Sequence, residues 1–156
     1  MHSDADFMRE AIAEARHAEE TGEVPIGAVV VIDGGIVARG FNQPVGRVDP
    51  TAHAEIIALR QAASRVGNYR LVSAELYVTV EPCLMCVGAA IHARVRRLVF
   101  GTVEPRAGAL GSAVNALDVP GLNHRFEVVG GVLAAECGDL LQAFFRSRRA
   151  SSAPQP

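Results

Sequence analysis

The sequence has no long apolar run, and its first residues lack the pattern of a secretory signal. No hydrophobic stretch approaches the roughly 20 residues that a helix needs to cross a bilayer, although hydrophobic residues make up 49% of the chain. The first ten residues contain no basic segment followed by an apolar one, so they do not resemble a signal peptide. We therefore predict a globular, cytoplasmic protein with no membrane partner.

The charge balance is nearly even, and the length is that of one domain. Fifteen basic and 17 acidic residues give a formal net charge of −2. This argues against sequence-independent coating of nucleic acid, but it leaves room for a local basic patch. A chain of 156 residues can bury one core and is too short for two domains. We predict one domain over residues 1–149 and a flexible tail over residues 150–156.

Cysteine is scarce, and its spacing is informative. Only three cysteines are present, and two of them are spaced as Cys83-x-x-Cys86. Outside a disulfide framework this spacing indicates metal or redox chemistry. The third, Cys137, lies in a predicted helix, and we interpret it as a small buried hydrophobic residue without a functional role.

Hydrophobic periodicity predicts an α/β domain with a mixed sheet. Helices are predicted over residues 3–20, 49–63, 83–93 and 133–149, and strands over residues 26–32, 36–41, 74–80, 97–101 and 126–129. Residues 42–49 and 105–123 are predicted loops, the second with a short helix. Strands joined by helices place helices on both faces of one sheet, and the opening hairpin makes that sheet mixed. The predicted fold is therefore a three-layer α/β/α domain with five strands.

Three potential metal ligands accompany a carboxylate that is not expected to be a ligand. Glu55 lies two residues after His53, and Cys83 and Cys86 follow within about one helical turn of each other. A structural zinc site normally has four protein ligands, whereas these residues supply three and leave one position for water. We therefore predict one Zn²⁺ per subunit at a hydrolytic site, held by His53, Cys83 and Cys86. Such ligands suit zinc best, although they do not exclude iron.

The position of Glu55 suits acid–base chemistry. Zinc lowers the pKa of its bound water toward about 7, and Glu55 can reach that water without sharing the ligand direction of His53. Hydroxide would attack an amidine-like ring carbon, while Glu55 carries protons to the ring nitrogen and to the departing ammonia. Each feature alone is weak, but together with Pro82 directly before Cys83 they match the zinc deaminase signature. A structural zinc clip is the alternative.

Motifs spread over most of the chain carry a family resemblance. They are residues 23–29 (EVPIGAV), 42–44 (NQP), 49–55 (DPTAHAE), 68–71 (NYRL), 76–86 (LYVTVEPCLMC), 121–125 (GLNHR) and 144–146 (FFR). In these segments the chain resembles the tRNA-specific adenosine deaminases of the cytidine-deaminase-like superfamily, a family that itself exemplifies this zinc chemistry. The resemblance implies a cytidine-deaminase-like fold, with Glu55 as proton shuttle. It also implies a homodimer, with active sites near the subunit interface, that converts the wobble adenosine of a tRNA anticodon to inosine.

The same resemblance assigns two contacts with the reacting base. Asn42 matches a family position that hydrogen-bonds the flipped adenosine, and its amide offers both a donor and an acceptor. Capping of a loop is the alternative role for Asn42. The backbone N–H of Ala54, at a predicted helix start, matches a group that steadies the oxyanion or the ring.

The end of the chain is expected to contact the anticodon loop. Adjacent residues on a helix point to different sides, so Phe144 and Phe145 cannot share one role. By resemblance we choose Phe145 as the side chain that stacks on an unpaired base. Arg148 and Arg149, together with Arg146, suit anticodon phosphates, whereas a solvated helix end is the alternative.

One segment departs from the family pattern, and two other functions stay open. Glu104 and Arg106 stand where Asp and Lys are common in the family. The charges are the same but both side chains are longer, so we expect a change in the efficiency and context tolerance of the reaction. The first alternative function is a deaminase of a free base or nucleoside such as guanine, cytosine or cytidine. The second is a non-catalytic RNA-binding module with a structural zinc ion.

Overall fold

A five-stranded sheet lies between two pairs of longer helices in the computed structural model, which describes residues 1–152. The helices are α1 (Asp4–Glu20), α2 (Pro44–Arg47), α3 (Ala54–Val66), α4 (Leu84–Ala93) and α5 (Ala134–Ser152). The strands are β1 (Gly27–Ile32), β2 (Gly35–Phe41), β3 (Glu75–Val80), β4 (Arg97–Thr102) and β5 (Glu127–Val129), and a 3₁₀ turn spans Ala116–Asp118. No helix within the described part of the chain is long and apolar enough to span a membrane.

The sheet is mixed, and its strand order is β2-β1-β3-β4-β5. Strand β1 runs antiparallel to both β2 and β3, whereas β3, β4 and β5 are parallel. Parallel neighbours need a crossover connection, and α4 supplies it between β3 and β4. The predicted mixed, five-stranded, three-layer fold is therefore confirmed.

The helices cover the two faces of the sheet in pairs. On one face, α1 and α5 pack against alternate residues of β1, β3 and β4, with Met8, Tyr77 and Val99 at the centre. On the other face, α3 and α4 enclose a larger apolar cluster. Gly40 allows α3 to approach β2 closely, since a Cβ atom at that position would lie 2.5 Å from the carbonyl oxygen of Ala54. The start of α3 is therefore fixed against the sheet.

The prediction that a helix begins at Asp49 and Pro50 is wrong by about one turn. The side chain of Asp49 accepts hydrogen bonds from the backbone N–H and the hydroxyl of Thr51, both at 2.8 Å. These bonds stabilise a local turn in place of a helix. Helix α3 begins at Ala54, and His53, with extended backbone angles, is its N-cap.

Two further boundaries differ from the predicted ones. The loop predicted over residues 42–49 contains the short helix α2, because Glu23 accepts hydrogen bonds from the N–H groups of Val45 and Gly46. Helix α5 continues to Ser152, three residues into the predicted tail. The rest of that tail, residues 153–156, lies outside the described residues.

A polar cluster at the amino end of β3 fastens α1 to the sheet. The hydroxyl of Tyr77 lies 2.7 Å from Asp4 Oδ1 and 3.0 Å from Glu75 Oε2. The guanidinium of Arg97 donates to both carboxylates, with two bonds of 2.6 and 2.8 Å to Asp4. Hydrogen bonding to Arg97 lowers the pKa of the Asp4 carboxyl. All members of the cluster thus have partners of complementary charge or polarity.

We expect Tyr77→Phe to lower the free energy of unfolding by about 1–2 kcal/mol, because two partly buried carboxylates lose a donor. The chain offers a matched control in its other tyrosine, Tyr69, which is 65% exposed whereas Tyr77 is 1% exposed. Tyr69→Phe should change stability by less than about 0.5 kcal/mol. Urea denaturation of both variants measures the difference, and equal effects would contradict a stabilising role for the cluster.

Candidate active site

Three side chains from two helix starts converge on one point. His53 is the N-cap of α3, Cys83 is the N-cap of α4, and Cys86 lies in the first turn of α4. The Nδ1 atom of His53 is 3.6 Å from each of the two sulfur atoms. All three donor atoms lie within 4.8 Å of one another, which is the arrangement that a bound metal ion requires. The structure thus brings together the three residues that the sequence singles out as ligands.

The surroundings of the two sulfur atoms shift their pKa values in opposite directions. A hydrogen bond with Cys86, together with one from His53, lowers the pKa of Cys83 to about 4 despite partial burial. The hydrogen bond with Cys83, together with burial, raises the pKa of the Cys86 thiol. Cys86 is therefore the donor in the hydrogen bond between the two sulfur atoms. The positive ends of the α3 and α4 dipoles meet here and also stabilise negative charge. A divalent cation would favour the deprotonated form of both sulfur atoms.

Glu55 is buried beside this group but is not one of its donors. Only 4% of Glu55 is exposed, and burial raises the pKa of its carboxyl. The carboxyl contacts Cys86, and Glu55 lines the same cavity as His53 and Cys83. A carboxyl with a raised pKa next to a metal site is typical of a group that transfers protons.

A small cavity opens over the site. Its volume is about 150 Å³, and its lining combines the site residues with apolar and acidic side chains: Ile26, His53, Glu55, Val80, Glu81, Cys83, Glu104 and Ala107. Pockets for drug-sized molecules usually measure about 300–1,000 Å³. The cavity therefore has room for one small ring system, with the remainder of a larger molecule outside.

Glu81 is a further site residue, and none of the sequence motifs predicts its role. It is 3% exposed and lines the cavity. Both of its carboxylate oxygens accept hydrogen bonds from the loop that follows β4. The signal in the sequence is a charged residue at the end of a buried strand, directly before Pro82 and Cys83. Such a residue is seldom buried without partners.

Asn42 and Ala54 both adjoin residues of the cavity. Asn42 directly follows β2, and its backbone N–H donates to the carbonyl of Ile26 at 3.0 Å. Asn42 as a whole is only 7% exposed, and its side-chain amide makes no hydrogen bond within residues 1–152, so the polar atoms of the amide keep some exposure. Ala54 is the first residue of α3, where backbone N–H groups have no partner within the helix.

The predicted contacts on α5 lie outside the cavity lining. Phe145 is 44% exposed and borders a surface groove that also includes Arg149. Arg148 donates a hydrogen bond to the carbonyl of Gly22, and its guanidinium lies 4.9 Å from the ring centre of Phe144. Arg148 therefore has a structural role in joining α5 to the end of α1.

Comparison with known proteins gives consistent matches over nearly the whole chain. Residues 2–149 match the family model of MafB19-like deaminases. The tRNA-specific adenosine deaminase of Haemophilus influenzae is 50% identical over 147 residues, which are 94% of this chain and 85% of the relative. The Bacillus subtilis protein of the same name is 49% identical over 149 residues, 96% of this chain and 92% of the relative.

The fold also matches a solved structure closely. That structure comes from studies of A-to-I editing by tRNA:A34 deaminases at the wobble position of transfer RNA. It superposes with a TM-score of 0.85 and is 45% identical in sequence. The match covers 86% of this chain and 98% of that one.

Loss of any ligand should release the metal ion. We expect the purified protein to carry about one ion per chain. Cys83→Ser and His53→Ala should each weaken metal affinity by more than about 100-fold, because one of three donors is removed. Metal analysis after dialysis measures this, and Cys137→Ala is the control, since Cys137 lies on the core-facing side of α5, away from the three donors. Retention of metal by Cys83→Ser would contradict the assignment.

Proposed function

The chain belongs to the family of tRNA-specific adenosine deaminases, and from this premise we propose that it converts adenosine to inosine at the wobble position of a tRNA anticodon. The reaction replaces the amino group at C6 of adenine by oxygen from water and releases ammonia. One observation carries the proposal: His53, Cys83 and the buried Glu55 line a cavity sized for one small ring system, and the Cys86 sulfur lies within 4.8 Å of the other two donor atoms.

Nδ1 of His53 and the sulfur atoms of Cys83 and Cys86 would hold one zinc ion per subunit. One imidazole and two thiolates suit zinc, and because they are three protein ligands they would leave the ion accessible to water or substrate. When bound, zinc polarises water in that position and lowers the pKa of the water toward about 7. The partly exposed sulfur of Cys83 lines the cavity and leaves the site open to substrate.

Glu55 transfers the protons of the reaction. Its carboxylate accepts one proton from the attacking water and delivers it to N1 of the purine. The second proton of the water passes through Glu55 to the amino group at C6, which leaves as ammonia. Both protons and the oxygen of the water are thereby accounted for in inosine and ammonia. Burial of Glu55 supports this role, because a raised pKa allows a carboxyl to return protons as well as accept them.

The substrate base must leave the anticodon stack to enter so small a cavity. The side-chain amide of Asn42, which lacks a partner among the described residues, supplies a donor and an acceptor for the edge of the base. The N–H of Ala54 supplies a further donor at the start of α3. Outside the cavity, exposed Phe145 stacks on a neighbouring base. Arg149, which borders the same groove, and the guanidinium donors of Arg148 that Gly22 does not use would meet phosphates.

We further propose a cytoplasmic homodimer whose subunits are single deaminase domains over residues 1–149. An apolar groove between α3 and α4 supports association, since its lining is mostly uncharged: Ile56, Leu59, Arg60, Ala63, Tyr69, Ala89, His92 and Ala93. This groove adjoins the two helices that begin at the metal site, which agrees with active sites near the interface.

Glu55→Gln should lower kcat on an anticodon stem-loop with a wobble adenosine by about 10²–10⁴-fold, because the amide cannot transfer protons. Metal content and unfolding midpoint should stay at the wild-type values. Inosine formation measures the effect, and Glu14→Gln is a control at a second buried glutamate, on α1. An active Glu55→Gln protein would contradict the mechanism.

The wild-type protein in the same assay tests the substrate. Inosine in the stem-loop, without ammonia release from free adenosine, guanine, cytosine or cytidine, is the expected result. Turnover of a free base alone would instead assign the chain to the small-molecule deaminases. If the metal-loaded protein turned over none of these substrates, the metal site would be structural.

Phe145→Ala should lower kcat/KM for the stem-loop by about tenfold, since stacking on an unpaired base contributes about 1–3 kcal/mol. Stability should change little, because the side chain is substantially exposed. Val128→Ala is the matched control, an apolar residue on β5 with 36% exposure. Equal activities of the two variants would remove Phe145 from the substrate contacts.

A further inference from the structure

A single buried carboxylate fastens the loop that follows β4. Glu81 Oε1 accepts a hydrogen bond from the N–H of Glu104 at 3.2 Å and another from the hydroxyl of Ser112. Glu81 Oε2 accepts from the N–H of Leu110 at 3.0 Å and from the N–H of Ser112 at 3.1 Å. Four donors from residues 104–112 thus converge on one side chain at the end of β3.

The loop packs against Glu81 without room for a larger residue. A Cβ atom on Gly108 would lie 2.5 Å from the carboxylate of Glu81 and 2.5 Å from the carbonyl oxygen of Glu104. The N–H of Ala109 donates to the carbonyl of Pro82 at 2.8 Å, immediately before the ligand Cys83. The loop is therefore joined directly to the segment that leads into the metal site.

The same loop forms one wall of the cavity. Glu104 and Ala107 line it together with His53 and Glu55, which come from the other side of the site. Arg106, between the two wall residues, is exposed at the surface. The position of this wall, and of the Arg106 guanidinium beside it, therefore depends on the hydrogen bonds between Glu81 and the loop.

The hydrogen bonds of Glu81 argue against a proton-transfer role. A carboxylate has two oxygens with about four lone-pair positions. Each oxygen of Glu81 already accepts two hydrogen bonds from the loop. Hydrogen bonds to the charged form are the strong ones, and they are costly to break inside a protein. Glu81 is thus saturated by the loop, whereas Glu55 faces the metal ligands.

We propose that Glu81 is a positioning residue, which holds residues 104–112 as a wall of the base pocket and thereby sets the affinity of the enzyme for its RNA substrate. This inference rests on the function proposed above and adds to it a residue that acts through the loop. It predicts an effect on substrate binding, with the chemical step carried by Glu55 preserved.

Glu81→Gln tests the proposal, because an amide keeps the shape but turns an NH₂ group toward backbone donors. Hydrogen exchange should become faster in residues 104–112. KM for the stem-loop should rise roughly tenfold, as expected from losing charge-assisted hydrogen bonds, while kcat changes by less than about threefold. Metal content should be unchanged. A purely structural defect would instead lower metal content and kcat.

Glu75→Gln is the matched control. Glu75 lies at the opposite end of the same strand, is also partly buried, and accepts hydrogen bonds from Tyr77, Arg96 and Arg97. This variant should leave hydrogen exchange in residues 104–112 and KM at the wild-type values. Equal effects of the two substitutions on KM would overturn the proposal, because general destabilisation would then account for both.

Ser112→Ala provides a second variant that removes one donor from an exposed residue and leaves the buried carboxylate in place. It should raise KM by a smaller factor than Glu81→Gln does. It also tests the proposal if Glu81→Gln does not fold. Unchanged loop exchange or unchanged KM in these variants, with an active wild-type enzyme, would overturn the role of Glu81. Failure of the wild-type enzyme on the stem-loop would overturn the proposed function itself, and the two failures are thereby distinguished.

Discussion

The metal site depends on two helices beginning within a few ångströms of each other on one face of the sheet. Helix α3 follows the β1–β2 hairpin and α4 follows β3, so their starts are far apart in sequence but adjacent in space. Gly40 contributes to this arrangement, because a side chain there would collide with the first turns of α3. Both helix dipoles then point their positive ends at the sulfur atoms, and the cavity lies where they meet.

The sequence predicted the features that depend on short-range patterns. The five strands and four long helices follow from periodicity, and the mixed sheet is confirmed. The spacing of Cys83 and Cys86 and their match with His53 indicated which donors the structure brings together. The proton-transfer role of Glu55 is a prediction from its position two residues after His53. These signals are local, and each occupies a few consecutive residues.

The features that the sequence did not predict arise from contacts between distant segments. Helix α2 lies in a predicted loop because Glu23 binds N–H groups more than 20 residues later. The role of Glu81 depends in the same way on donors 23 to 31 residues away. The start of α3 was placed too early because Asp49 has two uses, as a helix cap or as part of an isolated turn, and only the structure distinguishes them.

Arginine is the only strongly basic residue type in this chain, since lysine is absent. Several guanidinium groups connect parts of the fold: Arg97 binds two carboxylates, Arg94 binds Asn123, and Arg125 binds two backbone carbonyls. A planar group with five donors suits such connections better than an ammonium group does. The number of basic residues therefore overstates the positive charge available to a nucleic acid, in line with the slightly negative net charge.

The bond between Arg148 and the carbonyl of Gly22 joins residues 126 positions apart. Domains begin to fold while the chain is still being synthesised, from the amino end onward. All strands, the three metal ligands and Glu55 precede α5 in the chain. A nascent chain on the ribosome consequently contains the three metal ligands and Glu55 before the surface around Phe145 is synthesised. Translation thus separates the synthesis of these four residues in time from the synthesis of the α5 surface.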